Sequence, residues 1–225
     1  MQQFKVAVSA ARHAKFAAAG LVGAVALAAA AQAQAAVIQI AAPDAAYVSA
    51  TTLLAITAPD FDIVTGLGDS DLTLTFDASE ARTVGVTWLT WGSQPDTEGD
   101  SPRVLFSQAA TQITFDFSRL VSTFGFEAEP DLFTSDFTVE YYRGGVSQGT
   151  ITRTIDGLGG ARLLAASGQF DKAVVTSAGD PFAFGQVRYA LSVVPEPATW
   201  GLMILGFGGT GVMLRRARRT GLALA

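Results

Sequence analysis

Apolar and polar residues alternate with a period of two through much of the chain's middle, the spacing that puts successive side chains on opposite faces of a strand. In TQITFDFS, Ile113, Phe115 and Phe117 share one face while Thr114 and Asp116 take the other. The pattern recurs in DFTVEYY, where Phe137, Val139 and Tyr141 are apolar, and in GTITRTID, where Ile151 and Ile155 flank an outward Arg153. DLTLTFD from Asp71, TVGVTWLTW from Thr83, DKAVVTS from Asp171 and FGQVRYALSVV from Phe184 supply further strands. Gly, Pro, Asp and Ser separate them, and Gly144-Gly145 is placed to turn a hairpin between the strands at Phe137 and Thr150. Residues 41–65 hold Pro43 and Pro59 and read as short edge strands. Many strands, no long amphipathic helix and no internal repeat predict an all-β domain, a jelly-roll-like antiparallel β-sandwich.

Both ends depart from this pattern. Lys5, Arg12 and Lys15 precede the apolar run Phe16–Ala31, and Ala31-Gln-Ala-Gln-Ala35 offers small-residue cleavage sites. Residues 1–35 therefore read as a secretory signal peptide, cut after Ala33 or Ala35. At the other end, Ala198 to Leu214 carries no charge, a length near the lower limit of ~17–25 residues for a membrane-spanning helix. Pro197 suits a helix entrance, Trp200 an interface, and Arg215, Arg216, Arg218 and Arg219 a cytoplasmic stop. A domain at 36–194 is thus expected outside the inner membrane, with a single-pass anchor behind it.

Composition narrows the chemistry. Residues 36–194 hold eight Lys or Arg against nineteen Asp or Glu, a net charge of −11, and such a surface repels nucleic acid. The chain has no cysteine, and its one histidine, His13, lies in the signal peptide. Thiol chemistry, Ser-His-Asp catalysis and His-based zinc sites are therefore unavailable to the mature protein, and no cofactor is implied. Carboxylate catalysis of the glycosidase kind would fall to Glu127 and Glu129, which share a strand face in FGFEAEP, or to Glu140; a set of solvated surface acids is the expected reading. Oxygen donors in PDFD, GDSD and DTEGD make Asp69, Asp71, Asp96 and Asp100 weak calcium candidates beside Asp60, Asp62 and Glu98. Ordinary Asp turn chemistry is preferred there.

Aromatic residues point to a different function. Sandwich domains stack rings against the C–H faces of sugars, and Trp88 with Trp91 offers such a platform. Three apart on an unbroken strand, the two would face opposite ways, with Trp88 in the core and Trp91, beside the Gly92 turn, exposed. Phe115, Phe126, Tyr141 and Phe184 are expected in the core.

The tail also resembles a known sorting signal. Pro195-Glu196-Pro197, then Ala198-Thr199-Trp200, then a glycine-rich span with Gly206-Phe207-Gly208, then the arginine cluster, is similar to the PEP-CTERM sorting domain, also catalogued as the ice-binding protein C-terminal domain. The resemblance covers the last thirty or so residues and does not imply ice binding. It implies that the chain is a substrate of an exosortase-type membrane transpeptidase, cut near Pro195-Glu196-Pro197 and delivered to the cell surface or exopolysaccharide matrix of a Gram-negative bacterium. Thr220–Ala225, after the arginines, exceeds the usual pattern and lies beyond the stop signal. The stretch from Phe115 to Leu191 is similar to β-sandwich domains found ahead of such tails. On this reading the domain is a non-enzymatic surface or matrix protein, with a lectin-like glycan-binding module as the alternative and a carboxylate glycoside hydrolase as a distant third.

Overall fold

The computed structural model describes residues 36–192, 201 and 205–210. Residues 1–35, expected to be a signal peptide, and the sorting residues Pro195, Glu196, Pro197, Trp200, Arg215, Arg216, Arg218 and Arg219 lie outside them. Among the described residues no helix is long and apolar enough to cross a membrane.

Ten strands and one short helix follow in chain order: β1 (Ile38–Ile40), α1 (Ala45–Ala50), β2 (Thr52–Leu53), β3 (Ile63–Gly68), β4 (Thr73–Thr83), β5 (Arg103–Phe106), β6 (Gln112–Pro130), β7 (Ser135–Arg143), β8 (Val146–Ile155), β9 (Arg162–Ser177) and β10 (Phe182–Leu191). All ladders between them are antiparallel. The alternating segments become β4 and β6 to β10. The hairpin turn between β7 and β8 is made by Gly144 and Gly145, whose φ of 56° and 78° are open to glycine at little steric cost.

The fold is a β-sandwich whose two layers share long strands. In the first layer β8, β7, the C-terminal half of β9, the N-terminal half of β6, and β4 lie side by side. In the second, β1, the N-terminal half of β9, the C-terminal half of β6, β10 and β5 do so. The register between β6 and β9 shifts between Asp116 and Val121, and this irregularity marks where both strands pass from one layer to the other. β9 pairs with β7 rather than with its sequence neighbour β8, a return typical of Greek-key and jelly-roll folds.

Alternation on the two inner faces fills the space between the layers. Phe115 from the first layer meets Phe124, Phe126 and Phe184 from the second at ring-centroid distances of 5.3, 5.2 and 5.3 Å. Phe137 likewise meets Phe182, and Tyr141 meets Phe170. Phe115, Phe126, Tyr141 and Phe184 are all buried, as their places on the apolar faces require.

Two segments differ from expectation. Residues 45–50 form a helix turn rather than an edge strand, because Asp44 caps it by accepting the Tyr47 amide at 2.8 Å. TVGVTWLTW is not one strand: β4 ends at Thr83, and the chain turns back so that the Gly85 amide donates to the Trp88 carbonyl at 2.7 Å. Both changes matter for the site.

Candidate functional site

The C-terminal half of β6 is buried on both faces. Phe124, Phe126 and Ala128 enter the main core, so Gly125, Glu127 and Glu129 occupy the other side of the second layer. That side is roofed rather than solvated. The roof is the segment from Val84 to Pro102, with α1 beside it, and the sheet beneath carries small residues. Ala183 and Ala161 pack with Val84, Trp88, Trp91 and Val104 in one cluster, and Ala165 packs with Tyr47 and Leu163 in another. Gly185 lies directly below the Trp91 ring, where an added Cβ would come within 3.5 Å of Cζ2.

Within the roof, each indole is held by one carboxylate. The Trp91 Nε1–H donates to Glu127 Oε2 at 2.8 Å, and the Glu98 amide donates to Glu127 Oε1 at 2.5 Å. The Trp88 Nε1–H donates to Glu129 Oε2, and the Thr90 hydroxyl donates to Glu129 Oε1 at 2.8 Å. Arg188 reaches Glu98 at 2.6 Å and donates to the Val48 and Thr51 carbonyls, tying α1 to the same network. Glu127 and Glu129 are fully buried. Burial pushes the Glu127 carboxyl up to about 7, against the opposing hydrogen bonds from Glu98 and Trp91. The Glu129 carboxyl is also raised, again by burial first. Arg188 and Glu98 already neutralise each other, so an ionised Glu127 would leave a surplus negative charge in a dry place.

These contacts correct three sequence expectations. Trp91 is only 1% exposed, so it is a core residue and offers no ring to a sugar. Trp88 and Trp91 point toward the same sheet, since the chain between them is a turn and not a strand. Glu127 and Glu129 share a face as expected, but they are buried acceptors and not solvated acids. The missed signal is chemical: two indole N–H donors need acceptors when buried, and FGFEAEP holds two on one face.

The remaining acids do ordinary work. Asp69 accepts the Tyr189 hydroxyl at 2.6 Å and the amides of Asp71 and Leu72, and these bonds, the hydroxyl's first, lower its carboxyl below the usual range. Asp71 lies 3.9 Å from Arg119, Asp96 lies 3.4 Å from Arg162, and Asp100 accepts from Ser101. Asp60 anchors the start of the roof by accepting from Thr83, Thr87 and Arg103 at 2.6, 2.8 and 2.8 Å. Glu140 accepts the Tyr142 hydroxyl at 2.6 Å. Among the described residues no three His, Cys, Asp or Glu side chains converge as metal ligands.

One open cleft of about 350 Å³ lies at the edge of the roof. Trp88 and Phe106, with ring centroids 5.3 Å apart, line it together with Arg82 and Asp131. Leu89, Leu132 and Leu158, from three different loops, also line it, with Thr87, Thr90 and Gly157 between them. Arg82 lies 5.9 Å from the Phe106 ring centroid and 4.6 Å from that of Phe61, and it pairs with Glu80. Burial and then the neighbouring Asp180 raise the Asp131 carboxyl, while Arg82 opposes them.

Comparison with known proteins identifies the tail. Residues 193–219 match the PEP-CTERM protein-sorting motif, so the chain carries this sorting signal, which directs exosortase-dependent sorting of surface proteins. No curated protein matches the sequence. Among solved structures, the chain is similar to TmCBM61 in complex with β-1,4-galactotriose, at 13% identity and a TM-score of 0.34, over 63% of this chain and 100% of that one. It is also similar to the enzymatically active domain of tailspike protein 4 from Bacteriophage CBA120, at 16% identity and a TM-score of 0.29, over 55% of this chain. A third likeness, at 12% identity and a TM-score of 0.28 over 70% of this chain, is to a rhamnosidase from Klebsiella oxytoca. The chain spans 20% of the tailspike and 30% of the rhamnosidase.

Proposed function

We propose that this protein is a non-enzymatic, exported component of the cell surface or exopolysaccharide matrix of a Gram-negative bacterium, held briefly in the inner membrane and processed by an exosortase-type transpeptidase near Pro195-Glu196-Pro197. The observation that carries the reading is the sorting motif at 193–219. Proline disfavours helix in the residue before it, so a sequence with two prolines suits the extended form that a processing enzyme grips. The non-enzymatic part is supported by the fate of the one paired set of acids. Glycoside hydrolysis needs two carboxyl groups facing substrate across a cleft, whereas all four oxygens of Glu127 and Glu129 accept hydrogen bonds inside the roof.

Intact-mass spectrometry of the surface fraction tests this reading. The main species is expected to lack residues 1–33 or 1–35 and the arginine-bearing tail. Recovery there of the peptide containing Arg215, Arg216, Arg218 and Arg219 as the main species would show permanent anchoring instead.

A lectin-like role is the second reading. With Trp91 buried, its support moves to the cleft where half-buried Phe106 and Trp88, itself only 8% exposed, lie beside a donor and an acceptor.

A further inference from the structure

We infer that the cleft bounded by Trp88, Phe106, Arg82 and Asp131 is a binding subsite for a neutral sugar residue of an extracellular polysaccharide, presented at the end of the sandwich away from Leu191, the last residue of β10. The inference rests on the lectin-like reading and gives it a site, a ligand class and a direction.

The mouth of the cleft is unusually apolar for a free surface. Leu89 is 90% exposed, Leu158 83% and Leu132 58%, and their three loops meet at one place. Single exposed leucines are ordinary, but a cluster around a concave site marks binding. Walls of this kind are compatible with the C–H faces of a pyranose, and half-buried Phe106 adds to them.

Charge selects among ligands that would tolerate such walls. Arg82 is a donor only, and beyond its pairing with Glu80 its guanidinium can still donate into the cleft. Among the described residues the Asp131 carboxylate accepts no hydrogen bond, so when ionised it offers acceptors only. An anionic ligand would meet Asp131 and a domain of net charge −11. A cation would meet Arg82, and a wholly apolar ligand would desolvate both charged groups without replacing their hydrogen bonds. Adjacent hydroxyls each donate and accept, so a sugar diol can satisfy guanidinium and carboxylate together. The volume lies at the low end of small-molecule sites, about 300–1,000 Å³, which suits a chain end or a short segment.

Topology fixes the direction. The cleft receives Asp131 and Leu132 immediately after β6 ends at Pro130, which pairs with Phe182 at the start of β10. The chain then runs along the ten residues of β10 and leaves the sandwich after Leu191, roughly 30 Å away at ~3.3 Å per residue. A domain tethered through its C-terminus therefore carries the cleft at its far end.

The test uses full-length protein as the cell makes it, purified in detergent where membrane-bound, so that binding is read independently of whether the tail is processed. Affinity electrophoresis and tryptophan fluorescence would be run with the neutral fraction of the producing cell's exopolysaccharide, dextran as a second neutral probe, and alginate as an acidic one. Retardation by a neutral probe is expected, weakened at least tenfold by Asp131→Leu and by Leu89→Asp. Both changes are at exposed positions, so circular dichroism and melting temperature should match the unchanged protein. Absence of binding to both neutral probes, preference for alginate, or binding by both variants as tight as that of the unchanged protein would overturn the inference. A failure of sorting would appear instead in the intact mass, with binding unaffected.

Discussion

Glu127 accepts from the Trp91 indole and the Glu98 amide at once, so each partner's loss has a distinct signature. Trp91→Phe keeps most of the buried ring but leaves a buried acceptor short of a donor, a cost of about 1–3 kcal/mol in urea unfolding. Trp91→Ala adds a cavity over Gly185 and is expected to cost about 3–5 kcal/mol. Titration gives a second readout. The folded carboxyl of Glu127 holds its proton up to about pH 7, whereas the unfolded chain releases it near 4.5. Between those values the folded state binds more protons, so stability falls as pH rises through this window, by up to about 3 kcal/mol, and levels off above it. Asp60 and Asp69 act in the opposite sense: their hydrogen bonds hold both carboxyls low, so their contribution is lost only as pH falls below the usual carboxylate value. Unfolding midpoints from pH 4 to 8 should peak near the lower end, and Glu127→Gln should flatten the decline. None of this was legible from FGFEAEP alone. Alternation places Glu127 and Glu129 on one face, but only the roof decides that the face is dry.

The roof and α1 can lie close to the sheet because the residues below them are small. An added Cβ at Gly125 would come within 2.3 Å of the Ala165 Cβ and 2.6 Å of the Tyr47 hydroxyl, the second of these on α1. Gly125→Ala is therefore expected to lower stability by about 1–3 kcal/mol through overpacking. Combining it with Ala165→Gly and Tyr47→Phe, which remove both obstructing atoms, should restore part of the loss in the same unfolding assay. The strands that carried clear alternation, the N-terminal half of β6, β7, β8 and the C-terminal half of β9, were legible because one of their faces is less buried than the other. β1 and β5 were not, being three and four residues long, too short for a period to register. The first half of β9 also escaped notice, since Leu163, Leu164, Ala165 and Ala166 are buried on both faces and read as an unbroken apolar run. TVGVTWLTW misled in the other direction. Its apolar spacing imitates a strand, but the Gly85 turn folds both indoles onto one surface.

At the scale of the whole molecule, folding and sorting occupy separate stretches of chain. Among the described residues, every strand, both bent layers and the indole network lie within residues 36–192, while the sorting motif begins at 193. No cysteine is available, so the sandwich is held by burial and hydrogen bonding alone, and its stability should be indifferent to reductant. The two functions should therefore separate by mutation. Replacing Pro195, Glu196 and Pro197 together with alanine removes the backbone restriction that disfavours helix ahead of the span, yet alters no residue of the sandwich. Circular dichroism of this variant should keep the strand-dominated spectrum of the parent, and its melting temperature should stay within about 2 °C, since surface changes away from packed features cost little. In the native cell the same protein should accumulate at precursor length in the inner membrane, because the proposed processing enzyme would no longer meet the Pro-Glu-Pro sequence. Fractionation followed by intact-mass measurement decides the matter. Normal release of the triple-alanine variant would show that the tripeptide is a linker, and a loss of strand signal would show that the tail takes part in the fold.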